Sequence, residues 1–416
     1  MTSLDASAAT AFQGRRHGSG FWIVVYAFLI VMAFATLPSP LYGLYRTRDH
    51  LSSFTITVIY AIFAVGTIAA LLAVPSIAAR VGRRGVMLGA VGIMMVAAGI
   101  LASWKALPGL LIGRLLTGAS VGLAAGTAIT YLIELRLRAD PNASIVRARN
   151  IGTSVNVGAL GIGPLVAGLL AQWGKLQLTL PYLLVVGLGA VAFTGLMFVP
   201  ETGSPIQQPA NSKTPASSRS ARLPIPAAAG TFAAFAANGL FAGLSGLILT
   251  NTLHHPAHSL SGATLFLVFS SGVVSQVATN KLPASRVLAL GTISMLAGLV
   301  ILVVSVRLSV PNLALFLVAG ALIGAGAGAV FKGTTGIVLE AAAPENRLAM
   351  TSALLIALFV GLSVPVVGAG IALKQGATTA NTVLGFAIIV GVGVTISGWA
   401  LLTRHHAKTP GRRLLQ

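Results

Sequence analysis

Residues 118–126 read Gly-Ala-Ser-Val-Gly-Leu-Ala-Ala-Gly, and residues 320–328 read Gly-Ala-Leu-Ile-Gly-Ala-Gly-Ala-Gly. Glycine recurs every fourth position in both, at Gly118, Gly122 and Gly126 and at Gly320, Gly324 and Gly328. Small residues four apart share one helix face and let two backbones approach closely. The two stretches are 202 residues apart. Two further pairs fall in nearly the same register. Gly163-Pro164-Leu165-Val166-Ala167-Gly168 finds Val364-Pro365-Val366-Val367-Gly368 at an offset of 201, and Arg84, Val86 and Gly89 find Arg286, Val287 and Gly291. Three coincidences in one register indicate an internal duplication.

Outward from these stretches the chain is a series of apolar runs, and about 20 such residues are enough to cross a bilayer as a helix. We count twelve, beginning Phe21–Leu44, Phe54–Val74 and Val86–Ala102; the eighth, Ala263–Val277, is the shortest. The alternating ten-residue strands of an outer-membrane barrel are absent. Between runs six and seven lies Glu201–Pro224, ETGSPIQQPANSKTPASSRSARLP, rich in Pro and Ser and without apolar period. It reads as a flexible linker. The expected organisation is a tail at 1–20, a six-helix bundle at 21–200, the linker at 201–224, a second six-helix bundle at 225–403 and a tail at 404–416. The fold class is all-α membrane protein, two pseudo-symmetric bundles of six helices. Duplicated six-helix halves are a transporter architecture.

Composition agrees. Of 416 residues 8% are charged and 56% hydrophobic, and mean hydropathy is +0.90. A soluble protein carries about a quarter charged residues, so a soluble enzyme is excluded. The absence of cysteine removes disulfides, thiolate metal sites and cysteine nucleophiles. The net charge of +20 comes from 27 Lys and Arg against 7 Asp and Glu. With a cytoplasmic amino terminus, 19 of the cations fall on the inner side and 6 outside, leaving Arg114 and Lys332 within helices. The positive-inside rule therefore favours both termini inside. The excess is orientation signal and calls for no nucleic-acid partner.

The polar stretch between the second and third runs, read as a loop, is Pro75-Ser76-Ile77-Ala78-Ala79-Arg80-Val81-Gly82-Arg83-Arg84, and it resembles motif A of the major facilitator superfamily, with Pro75 and Ala79 in place of its Gly and Asp. Arg114-Leu-Leu-Thr-Gly118 is similar to motif B. Ala159-Leu-Gly-Ile-Gly163-Pro164-Leu-Val-Ala167-Gly168 resembles motif C of the superfamily's antiporters, and Pro200-Glu201-Thr202 is a common ending of helix six. Leu37-Pro38-Ser39-Pro40-Leu41-Tyr42 also resembles a bacterial subgroup. The resemblance implies a secondary active transporter of the bacterial inner membrane working by alternating access. Motif C points to the drug and metabolite proton antiporter branch, hence efflux.

A charge at membrane depth must face a cavity or a partner. Arg114 is a substrate-contacting or proton-coupling residue by the resemblance; otherwise it snorkels to the interface. Lys332 contacts an anion or titrates during transport, or else forms a structural ion pair. Glu134 is the acid best placed for proton coupling or for gating against Arg80, Arg83 or Arg147. Arg84 belongs with Arg80 and Arg83 to the gating set. Ala79 removes motif A's usual acid–base latch. Asn156, Asn238 and Tyr42 are candidate hydrogen-bonding groups of the substrate cavity. Gly163, Pro164, Gly168 and Pro365 are candidate conformational residues, because proline breaks the helical ladder. His254, His255 and His258 have Pro256 among them and no acid nearby, so no metal site and no cofactor is expected.

The expected function is proton-coupled export of a small organic compound, anionic, zwitterionic or neutral, since the buried candidates are cations. The alternative is proton-coupled uptake of an organic anion. A membrane enzyme or receptor is remote, because no set of His, Asp, Glu and Ser converges at one depth. The expected partners are the substrate, protons and the bilayer, with the chain acting as a monomer.

Overall fold

The computed structural model describes residues 3–202, 223–343 and 346–408, and their regular structure is entirely helical. Most of the expected linker, residues 203–222, lies outside the described residues, as do Met1 and Thr2 of the first tail and 409–416 of the last. The helices are α1 (Ser3–Thr36), α2 (Tyr42–Asp49), α3 (Ser53–Ser103), α4 (Leu107–Ala139), α5 (Ile145–Trp173), α6 (Leu180–Met197), α7 (Ile225–Asn251), α8 (His258–Ala278), α9 (Ala284–Arg307), α10 (Leu313–Ala341), α11 (Arg347–Lys374) and α12 (Thr379–Lys408). Eleven stretches among the described residues are long and apolar enough to span a membrane.

Three expectations need correction. The first apolar run, Phe21–Leu44, is not one helix. Regular α-helix stops at Thr36, residues Ser39–Leu41 form a 3-10 turn, and α2 follows. Pro38 and Pro40 supply no N–H and push the residues before them out of helical geometry. Secondly, the polar stretch from Pro75 to Arg84 is not a loop. Helix continues through Pro75, and only Gly82 leaves helical geometry, at φ 73° and ψ 176°. A straight helix of 51 residues would be about 77 Å long, more than twice a hydrocarbon core, so the turn at Gly82 is what makes α3 two arms. A side chain is strained at that φ, and glycine is not. Thirdly, α8 has 21 residues, beginning five before the expected run.

The chain forms two compact units. The first holds the described residues of Met1–Pro38, Ile62–Val166 and Trp173–Pro215. There the glycine face of α4 meets the first arm of α3. A Cβ on Gly118 would run into the Phe63 carbonyl, and one on Gly122 into the Thr67 carbonyl. The α1 backbone is equally close to α5, where a Cβ on Gly163 would strike Ala33. Pro164 has no N–H for the Leu160 carbonyl one turn back. The Thr36 hydroxyl donates to that carbonyl from α1 instead, which satisfies the acceptor and ties the helices.

The second unit holds Ser39–Ala61, Ala167–Gln172 and the described residues of Ala216–Gln416. Its α10 lays the matching glycine face on α8, Gly324 against the Val268 carbonyl and Gly328 against that of Gly272. The spatial pairs therefore repeat in the register of the sequence: Gly122 with Thr67, then Gly324 with Val268. Behind them Gly239 of α7 abuts the Leu362 carbonyl of α11.

Candidate functional site

The densest polar cluster of the first unit is built where α3 turns at Gly82. A chain leaving one helix and entering another exposes unpaired backbone N–H groups at the new amino end. Glu201, just after α6, takes two of them. Its Oε1 accepts from Arg83 N and its Oε2 from Arg84 N, both at 3.0 Å. The carboxylate lies over Gly82 so closely that a Cβ there would be 2.5 Å from Oε2. A negative charge at a helix amino end is also favoured by the helix dipole.

The Arg83 side chain turns to α4, where its Nε donates to both Glu134 oxygens at 2.8 and 2.7 Å. Thr202 Oγ1 donates to Glu134 Oε2 at 2.7 Å. Buried Tyr131 donates to the Pro200 carbonyl at 2.9 Å, and Arg138 donates to the carbonyls of Glu201 and Thr202. The segment 200–202 is thus strapped across the turn from α4. Of the three arginines considered for Glu134, the structure selects Arg83. Arg80 and Arg147 are exposed, and neither guanidinium bonds a carboxylate among the described residues. Arg84 contributes its backbone.

Sequence reasoning missed Glu201 as a cluster member. The signal was the Gly82-Arg83-Arg84 sequence, which marks a fresh helix start in need of an acceptor, but not which acid supplies it.

The two intrahelical cations sit on helix ends. Arg114 is 1% exposed. Its NH1 donates to the Ala35 carbonyl at 2.7 Å, and its guanidinium carbon stands 4.8 Å from the centre of the Phe63 ring. Ala35 is in the last turn of α1, where carbonyls lack helical partners. Half-buried Lys332 does the same in the second unit. Its ammonium donates to the Gln276 carbonyl near the end of α8, to Asn280 Oδ1 at 2.8 Å and to Thr279 Oγ1 at 3.3 Å. Cations at carbonyl ends are favoured by hydrogen bonding and by the helix dipole.

Asn156 of α5 and Asn238 of α7 are 4% and 2% exposed. Each has a side-chain oxygen with no hydrogen-bond partner among the described residues. Tyr42 is buried with its ring edge-on to Tyr60, 6.4 Å between centres. Of the candidates, Arg114 and Asn156 belong to the first unit, and Lys332, Asn238 and Tyr42 to the second. Gly163 is at the α1 contact, Gly168 abuts α8 at the His258 carbonyl, and Pro164 and Pro365 lie inside continuous α5 and α11. His258 N donates to Gln172 Oε1 at 2.9 Å. No cluster of His, Asp and Glu among the described residues could hold a metal.

The profile of the Major Facilitator Superfamily matches residues 23–282, more than half the chain. The chain belongs to this superfamily. Among curated proteins, none matches. A solved structure with the same fold is that of the nucleoside transporter NupG. The likeness covers 92% of this chain and 99% of that one, with a TM-score of 0.72 and 11% sequence identity. As a member of the Major Facilitator Superfamily the chain is a multi-pass membrane transporter, not an enzyme. The Gly82–Arg84 turn falls inside the matched region, and so do Arg114, Glu134, Asn156 and Asn238. Lys332 lies beyond it.

Proposed function

We propose that this is a secondary active transporter that exports a small organic compound in exchange for protons, by alternating access of the halves 21–200 and 225–403. Counting the two arms of α3 separately gives the proposed twelve spans. Both termini are assigned to the cytoplasm of a bacterial inner-membrane protein acting as a monomer.

The observation that carries the substrate reading is the pair of buried amide oxygens on Asn156 and Asn238. A buried polar atom without a partner costs about 1–3 kcal/mol, an expense relieved when a bound solute or water donates to it. Together with Arg114, Tyr42 and Lys332 of the proposed site set, these groups suit neutral, zwitterionic or anionic solutes. The described carboxylates Asp49, Glu134, Asp140, Glu201 and Glu340 all stand near helix ends or outside helices, which argues against large organic cations as cargo. Export is preferred because the Gly163-Pro164 segment resembles the antiporters' motif C. Glu134 with Arg80, Arg83 and Arg84 is assigned to gating and to the proton.

The second reading is proton-coupled uptake of an organic anion, favoured by buried Arg114. Proteoliposomes given a pH gradient of either sign and a panel of organic acids, amino acids and nucleosides separate the two. Exchange driven by protons moving opposite to the solute supports export. Accumulation of solute moving with the protons would replace it by uptake, and no movement in either direction would remove proton coupling.

A further inference from the structure

α1 and α5 border an open surface groove of about 500 Å³ that no proposed transport residue lines. Trp22 and Val25 form its α1 side; Arg147, Asn150, Ile151 and Val155 are among its α5 residues. The α5 positions are spaced 3, 4 and 8 from Arg147, so they share one helix face. That face is graded. Arg147 and Asn150 are exposed, and the positions beyond them are apolar apart from Ser154. Ile151 and Val155 lie about 6 and 12 Å further along the helix axis than Arg147.

Two observations identify what would fill such a groove. The Arg147 guanidinium has no hydrogen bond or ion pair among the described residues, although its backbone N–H is capped by Ser144 Oγ at 3.3 Å. Trp22 is 60% exposed at the mouth, and tryptophan concentrates at the level of lipid headgroups. A free cation at headgroup depth, with an apolar channel running away from it into the hydrocarbon, complements a molecule with an anionic head and an apolar tail.

We propose that the α1–α5 groove binds an anionic phospholipid, its phosphate on Arg147 and Asn150 and an acyl chain along Val25, Ile151 and Val155. The phosphate takes the planar guanidinium as a paired donor, a geometry arginine offers and lysine does not. The site is independent of the transported solute and of the direction of transport.

Trp22 is a built-in reporter. Replacing Trp104, Trp173 and Trp399 by Phe leaves it as the single tryptophan. The full chain is reconstituted into phosphatidylcholine vesicles containing rising fractions of brominated phosphatidylglycerol or brominated phosphatidylcholine, whose bromine quenches tryptophan on contact. Half-maximal quenching is expected at about fivefold less of the anionic lipid, the preference one arginine confers at an anionic surface. Arg147→Gln should abolish that difference. Equal quenching by the two lipids would overturn the proposal, and so would a preference that survives Arg147→Gln. Loss of the preference when inorganic phosphate is added would assign Arg147 to a free anion and overturn the lipid. If the three substitutions prevent folding, mass spectrometry of the native chain with bound lipid replaces the fluorescence. Retention of phosphatidylglycerol over phosphatidylcholine by the native chain but not by Arg147→Gln is then expected, and equal retention overturns the site.

Discussion

Arg83 Nε lies 2.7 Å from Glu134 Oε2, joining the turn of α3 to α4. The two side chains are 21% and 29% exposed, so solvent screens part of their attraction. We expect a coupling of about 1 kcal/mol between Arg83→Gln and Glu134→Gln, at the upper end for partly exposed pairs. A double-mutant cycle on thermal unfolding in detergent measures it. Strict additivity would show that the contact contributes nothing to holding the turn.

Gly82 is constrained twice, by its positive φ and by the Glu201 carboxylate above it. Gly82→Ala should cost about 1–3 kcal/mol from backbone conformation alone, because its φ and ψ fall in a region populated essentially by glycine, with a further loss from displacing Glu201. The Glu201→Ala variant has already lost that carboxylate, so Gly82→Ala should cost less in its background. An unchanged cost would mean that the carboxylate yields freely.

The Thr36 hydroxyl and the Leu160 carbonyl make a prediction that depends on proline. Thr36→Val leaves a buried carbonyl unsatisfied, at about 1–3 kcal/mol. Pro164→Ala restores an N–H that can close the helical bond to Leu160. Thr36→Val should therefore be clearly milder in the Pro164→Ala background. Equal destabilisation in both backgrounds would refute the substitution of a hydroxyl for the missing amide.

The glycine repeat predicts a contrast between two positions. A Cβ on Gly324 would collide with the Val268 backbone, whereas one on Gly368 meets nothing within 4 Å. Gly324→Ala should lower the unfolding temperature and the yield of folded protein, since overpacking typically costs 1–3 kcal/mol. Gly368→Ala should leave both unchanged. Similar behaviour of the two variants would contradict the close α8–α10 contact.

These contacts also show what a linear reading can reach. Glycine every fourth residue is a local pattern, and it announced the α4 and α10 packing faces. Glu134 was legible through scarcity: with seven acids against 27 Lys and Arg in the chain, an acid near a helix end was bound to meet a cation. Glu201 was not legible, because its ligands are backbone amides 118 and 117 residues away, exposed by one glycine's φ. Thr36 and Pro164 were equally remote from one another in sequence. The helix through Pro75 was misread because polarity there suggested a loop. Proline and three arginines are compatible with helix where a span leaves the bilayer.

Lys332 separates a structural role from a transport role. Its ammonium holds the last turn of α8 through the Gln276 carbonyl and Asn280. A hydrogen bond to a charged group contributes about 1.5–3 kcal/mol, which corresponds to at least tenfold in a local opening equilibrium. Lys332→Met removes every donor while keeping the length of the stem. Hydrogen exchange of the amides around residues 276–280 should then accelerate at least tenfold without any solute present. If Lys332 served the solute alone, exchange in the solute-free protein would be unchanged and only transport would fall. A variant that exchanges normally and transports normally would remove Lys332 from both roles.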